Sequence, residues 1–206
     1  SYRYGTCVQK LSPGLLVALA FFSSVAPFGI DMYLPGMPSL ASELGASPAV
    51  AQLTITGFML GMAVGNLLFG AISDGTGRKP QIVGAASVFL AASVLCAVSP
   101  SIWPLVAARF VQGLAAGSLE AVSRAVVADV SKGRQAARAL SGLMALTGFV
   151  PAIAPVLGGA LLPVVGWRGL FWVLTAINVV QAIMAFRMPE TLPAEGRSTG
   201  TLRSLF

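Results

Sequence analysis

The sequence predicts an all-α polytopic membrane protein with six transmembrane helices. Three observations carry that prediction. The 206 residues are 56% hydrophobic and 10% charged, where soluble domains carry about 25% charged residues; mean hydropathy is +0.83. The apolar residues fall into six runs of roughly 20, the length that crosses a bilayer as a helix. The bases are sorted between the links. Of thirteen, ten fall in the segments on one side and one, Arg168, on the other, while Arg109 and Arg124 lie inside the fourth run. Such an excess marks the cytoplasmic side, puts both ends of the chain there and agrees with an even number of crossings. The net charge of +6 is therefore topology, and no nucleic-acid partner is expected.

Residues 1–12, with Arg3 and Lys10, read as a cytoplasmic tail. Span 1 covers about 13–33 and is too long for the apolar core of a signal peptide. Residues 34–48 hold three prolines and one charge, Glu43, and read as an outer loop. Span 2 covers about 49–72. On it Gly57, Gly61 and Gly65 recur every four residues, a stripe on which another helix can approach closely. The link 70–80 reads as a tight turn, with Gly75 and Gly77 free to take unusual backbone angles. Span 3 covers about 81–98 and span 4 about 103–128. An inner loop at 129–138 holds Lys132, Arg134 and Arg138. Span 5 covers about 139–162, an outer turn 163–168, and span 6 about 169–186. Residues 187–206 read as a cytoplasmic linker. Cys7 and Cys96 fall on opposite sides of the bilayer, so no disulfide joins them. Histidine is absent, which removes histidine triads, histidine metal sites and histidine proton shuttles. The few acids lie on separate helices or loops with no nucleophile–base set or phosphate loop, so neither an enzyme nor a metal site is expected.

Asp31 and Arg109 are charges placed inside apolar spans. An ionised side chain deep in the bilayer costs about 2.5–3.5 kcal/mol on insertion scales and normally faces a bundle interior or a watery cavity. Span 1 runs outward and span 4 inward, so the two residues lie at similar depth, within about 10 Å of the outer boundary, and can meet across a crevice. The alternative is an interfacial acid and a snorkelling arginine. Arg109, Gly113, Ala116, Glu120 and Arg124 share one face of span 4 at 100° per residue, flanked by Gln112. A polar stripe of this kind suits a helix that lines an aqueous pathway. Glu120 and Arg124 are four apart and read equally as a self-neutralising structural pair or as part of that pathway. In span 5, Pro151, Pro155, Gly158 and Gly159 interrupt an apolar run, so the helix is expected to bend and to pack closely.

The link Gly70-Ala71-Ile72-Ser73-Asp74-Gly75-Thr76-Gly77-Arg78-Lys79 resembles the loop between helices 2 and 3 of the major facilitator superfamily. Gly70, Asp74, Gly77, Arg78 and Lys79 match, and Gly75 replaces a usual base. Arg109-Phe110-Val111-Gln112-Gly113 resembles the superfamily's R-x-x-Q-G motif, and Ala154-Pro155-Val156-Leu157-Gly158-Gly159 the G-P-x-x-G-G antiporter motif, with Ala154 for the first glycine. Joined to Ile30-Asp31-Met32-Tyr33-Leu34-Pro35, Gly166-Trp167-Arg168-Gly169-Leu170-Phe171-Trp172 and Pro189-Glu190-Thr191-Leu192-Pro193, these segments look like the Bcr/CflA type of drug:proton antiporter over about residues 15–195.

The resemblance implies twelve helices in two six-helix halves, each a 3+3 inverted repeat; that architecture comes with the family and is not read from this sequence. The chain would hold the N-terminal half, with a missing C-terminal six-helix half as its partner. Ser1 in place of an initiator methionine agrees with a terminal fragment. It further implies a bacterial inner membrane, a small-molecule drug substrate such as a chloramphenicol- or bicyclomycin-like antibiotic, and export driven by the proton gradient without a cofactor. Arg109 is then tied to proton coupling. Asp129 pairs with Arg78 to latch the cytoplasmic side. Asp31 alternates between protonated and ionised forms under the influence of Arg109. A metabolite or sugar porter of the same superfamily, or a non-transporting membrane half, are the other readings.

Overall fold

The computed structural model describes residues 13–188 except Lys132, without side-chain placements for Pro13, Ala71 and Asp74. The expected tail, Cys7 and linker residues 189–206 lie outside the described residues. Every regular element among the described residues is helical. Span 1 is two pieces, α1 (Pro13–Ser23) and α2 (Val25–Asp31), followed by a 3-10 turn at Leu34–Gly36 and the short helix α3 (Met37–Glu43). Span 2 is α4 (Pro48–Thr76), span 3 is α5 (Arg78–Ala97) and span 4 is α6 (Ile102–Val130). Span 5 begins with α7 (Gly133–Gly148). The helical stretch α8 (Val150–Arg187) holds the rest of span 5 and all of span 6, broken at Gly166 where φ is 66° and ψ 177°.

Five helical stretches are long and apolar enough to cross a membrane, the last running 55 residues from Gly133 to Arg187. At 1.5 Å per residue that stretch is about 80 Å long, far beyond one crossing of a roughly 30 Å core. Its neighbours show that it reverses. Gly142 lies by Leu16 and Gly158 by Met32, so this part runs parallel to span 1. Trp167 lies by Gly36, and Gln181 donates to the Phe21 carbonyl, so the part after Gly166 runs antiparallel to span 1. The bundle therefore crosses six times.

The links differ from the sequence reading. The tight turn expected within 70–80 narrows to one residue: α4 runs to Thr76, α5 starts at Arg78, and Gly77 alone, at φ 102°, breaks the helix. Gly75 is helical. The expected loop at 129–138 is mostly helix, with Asp129 still in α6 and Arg134 and Arg138 already in α7. Charge marks where a helix leaves lipid, not where it stops, because a helix satisfies its own backbone on both sides of the interface. The turn 163–168 likewise contracts to Gly166, with Pro163 inside the helix. Residues 34–48 are not an open loop. Pro35 and Pro38 sit in the first turns of a 3-10 and an α-helix, positions where proline loses no helical hydrogen bond, while Leu40 and Ala41 are buried beneath them. Pro151 is also in a first turn, because the helix restarts at Val150, so Pro155 alone of the two predicted kink prolines is interior.

Span 4 is the centre of the bundle and is far more buried than span 2. Spans 2 and 4 run parallel in backbone contact. A Cβ on Gly61 would overlap the Phe110 carbonyl, and one on Gly65 the Leu114 carbonyl. From the other side, a Cβ on Gly113 would overlap the Phe58 carbonyl and one on Gly117 the Met62 carbonyl. Gly57 is looser, with 3.2 Å between such a Cβ and the Val106 oxygen. Lipid offers no hydrophobic drive between helices, so close packing of small residues supplies the attraction, helped by Cα–H···O contacts. Gly158 of span 5 packs the same way on the Met32 carbonyl, whereas Gly159 faces open space.

At the end of the bundle opposite Arg78, one ion pair joins three links. Glu43 of α3 accepts from Trp167 Nε1 at 2.7 Å and from Arg168 Nη1. Arg168 also donates to the Ser99 carbonyl at 3.2 Å, between spans 3 and 4, and its guanidinium lies 4.2 Å from the Trp167 ring centroid.

Two outcomes are expected. Gly117→Val forces spans 2 and 4 apart and costs roughly 3 kcal/mol or more, read as loss of monodisperse protein in detergent and a lowered melting temperature, whereas Gly159→Ala leaves both unchanged. Glu43→Ala costs about 1 kcal/mol and Glu43→Gln less, because the amide still accepts from Trp167; equal losses in thermal unfolding would contradict that geometry.

Candidate functional site

Two apolar clusters fill the bundle. One, toward the Arg78 end, gathers Leu19, Phe22, Ile82, Phe89, Leu119 and Ala185. The other, toward the Glu43 end, gathers Met32, Leu40, Cys96, Leu105, Trp167 and Phe171. Between them lies a polar layer. Its members are Ser93 on span 3, Arg109 and Gln112 on span 4, and Asn178 on span 6, none more than 2% exposed.

Arg109 is fully buried. Its Nη1 donates to Gln112 Oε1 at 2.6 Å. Its guanidinium carbon lies 4.4 Å from the ring centroid of Tyr33, 4.3 Å from Phe58 and 5.8 Å from Phe171. Each face-on ring can contribute about 2 kcal/mol in a desolvated setting, which offsets part of the several kcal/mol that burying an ion costs. The remaining donors, Nε and Nη2, have no partner. Tyr33 is held in turn by Thr54, their oxygens 2.7 Å apart.

The expected meeting of Asp31 with Arg109 is absent. Asp31 is half-buried, and among the described residues no ion pair joins it to Arg109. Tyr33, two residues after Asp31 and beyond the end of α2, takes the place facing Arg109. The stripe on span 4 is also not an open pathway along its upper part. Arg109 and Gly113 lie a turn apart and face span 2, where Phe58 touches both, the first with its ring and the second with its carbonyl; Ala116 is buried as well. Glu120 and Arg124 do pair, and Asn66 of span 2 donates to the other Glu120 oxygen at 3.1 Å. The Arg124 side chain stays 48% exposed and that of Glu120 23%.

At the opposite end Arg78 Nε donates to Asp129 Oδ2 at 2.8 Å and Nη2 to Oδ1 at 3.3 Å, a two-pronged pair. Arg78 also donates to Ser73 Oγ and is only 4% exposed. Gly77 makes this possible by turning the chain so that the base enters the bundle at the first residue of α5. Gly70 lies 3.9 Å, from an added Cβ, to Ala121 of span 4; Lys79 is half-buried. The Asp74 side chain lies outside the described residues. Of the proline–glycine group, Gly158 seats span 5 on span 1, while Pro151 and Gly159 are exposed.

Sequence reasoning passed over Ser93, Asn178 and the three rings around Arg109. A signal existed for one of them: Asn178 is an uncharged amide in an apolar span, and such groups seek partners across helices. The aromatic rings carry no comparable mark, because a ring under a cation and a ring in a core have the same composition.

The Major Facilitator Superfamily model matches residues 19–205. An uncharacterized MFS-type transporter, YdgK, of Bacillus subtilis is 40% identical over 186 residues, which is 89% of this chain and 46% of that protein. Multidrug resistance protein MdtL of Klebsiella pneumoniae is 39% identical over 168 residues, 81% of this chain and 43% of its own length. The chain thus spans about half the length of the curated relatives it matches. In fold it superposes on the human organic anion transporter MFSD10 (TETRAN) with a TM-score of 0.73 at 19% identity, covering 91% of this chain and 50% of that one. A match over nearly the whole chain, on a six-crossing helical bundle, makes this polypeptide a member of the major facilitator superfamily, a multi-pass membrane transporter family.

Proposed function

We propose that the chain is one six-helix half of a drug:proton antiporter of the Bcr/CflA type, with the Arg78 end cytoplasmic and a second six-helix unit completing the substrate cavity. The similarity to proteins named for multidrug resistance supports the drug class, and the ten-to-one sorting of bases supports the orientation. One observation carries the coupling: Arg109 is a fully buried cation with two unfilled donors and no carboxylate partner. A buried ion normally recruits a counter-charge, since leaving it alone costs several kcal/mol. Asp31, half-buried at the last residue of α2 and two residues before Tyr33, is the acid this reading assigns to Arg109, brought to it by a rearrangement of α2.

In this reading ionised Asp31 engages the free donors of Arg109 in one state of the transporter, and protonated Asp31 releases them in the other. Proton binding then selects between the two conformations through their difference in pairing energy. The Arg78–Asp129 pair holds the cytoplasmic end in the state described. Glu120, half-buried beside Asn66, lies farther toward that end and lines the substrate side.

In vesicles carrying the full-length transporter, Asp31→Asn is expected to cut proton-driven drug efflux roughly tenfold or more, about 1.4 kcal/mol, while drug counterflow without a gradient persists. Undiminished coupled transport sinks the assignment. Asp129→Asn loosens the cytoplasmic end, and labelling of a cysteine placed there rises by roughly two- to tenfold, the effect of about 1 kcal/mol; unchanged labelling removes the latch.

A further inference from the structure

We infer that Ser93 and Asn178 are positioning residues that fix which way the Gln112 amide points, and through it orient Arg109; the inference rests on the coupling role proposed for Arg109. The hydroxyl of Ser93 has one proton and two lone pairs, and all three are committed. It donates to the Phe89 carbonyl of its own helix at 2.8 Å. It accepts from Gln112 Nε2 at 2.8 Å and from Asn178 Nδ2 at 3.1 Å. With its proton spent on a backbone carbonyl one turn away, Ser93 can only be an acceptor toward spans 4 and 6.

That sets the direction of the amide. Gln112 must turn its NH2 to Ser93, so its oxygen faces the other way, where it receives Arg109 Nη1 at 2.6 Å and the Cys96 thiol at 3.8 Å. A flipped amide would set an N–H donor against a guanidinium donor at the same distance and leave a carbonyl facing a hydroxyl with no proton to give. Both contacts turn repulsive inside a site where every group is shielded from water. Asn178 adds a second donor to Ser93 and ties span 6 into the arrangement, with Gln181 one turn on donating to the Phe21 carbonyl of span 1. Three helices thereby define one rotamer of Gln112. Neither Ser93 nor Asn178 contacts Arg109 itself. The titratable groups at the Arg109 cage are Tyr33 of span 1 and Cys96 of span 3, with Asp31 two residues before Tyr33 on span 1.

The thiol of Cys96 reports the amide's direction, because its S–H stretch shifts when the hydrogen bond to Gln112 Oε1 is lost. The test uses the full-length transporter reconstituted in lipid, with the Cys96 band assigned in the infrared by subtraction of a Cys96→Ser sample. In Ser93→Ala the band is expected to move to higher frequency and the pH midpoint of proton-driven efflux to shift by about half a unit or more. Asn178→Ala, which keeps the Ser93–Gln112 bond, gives a smaller change of the same sign and serves if Ser93→Ala fails to assemble. An unmoved band in both variants overturns the orientation lock, whatever transport does. A shifted band with an unmoved pH midpoint leaves the lock standing and overturns the coupling role of Arg109.

Discussion

Span 4 is held against span 2 by backbone, not by side chains. Four glycines, two from each helix, let the carbonyls of Phe58, Met62, Phe110 and Leu114 lie where Cβ atoms would otherwise stand. In water such a contact would be one contribution among many. In lipid it dominates, because lipid tails solvate an apolar helix surface as well as another helix does. The cage of Arg109 is placed in part by this contact. Phe58 presents its carbonyl to Gly113 and its ring to Arg109, so the same residue that seats the helix also shields the cation.

The buried arginine is the costly element of the fold. Its site is neither a salt bridge nor a water-filled opening but an aromatic box with one amide acceptor. Such an arrangement holds a positive charge without neutralising it. That is a poor choice for stability alone, since apolar residues would pack the same space at lower cost. The two apolar clusters on either side shield the layer from water, which strengthens every electrostatic interaction made there.

The two ends of the bundle are closed differently. At one, Arg78 enters the protein from a one-residue break and grips Asp129 of the neighbouring span. At the other, Glu43 and Arg168 together tie a short surface helix, the span 3–4 link and the break before span 6. The first pair is nearly buried and joins two links; the second is exposed and joins three. Exposure weakens each bond but lets several share one carboxylate at little desolvation cost. Both ends turn on a glycine with positive φ, Gly77 and Gly166, at which two long helices meet with almost no loop between them.

The sequence by itself determined the number of crossings, the segregation of bases, the close-approach glycines of span 2 and the positions at which charge enters an apolar run. These follow from composition and period, which act locally and leave marks residue by residue. It did not determine the lengths of the links, because a helix continues through the interface wherever its own hydrogen bonds are met. Nor did it determine the neighbour of Arg109. Equal depth made Asp31 a natural partner, yet depth fixes only one coordinate, and the course of the chain past the end of α2 sets Tyr33 against the guanidinium instead. Ser93, Gln112 and Asn178 are separated by 19 and 85 positions across their shared bonds, and only packing of spans 3, 4 and 6 brings one hydroxyl to both amides.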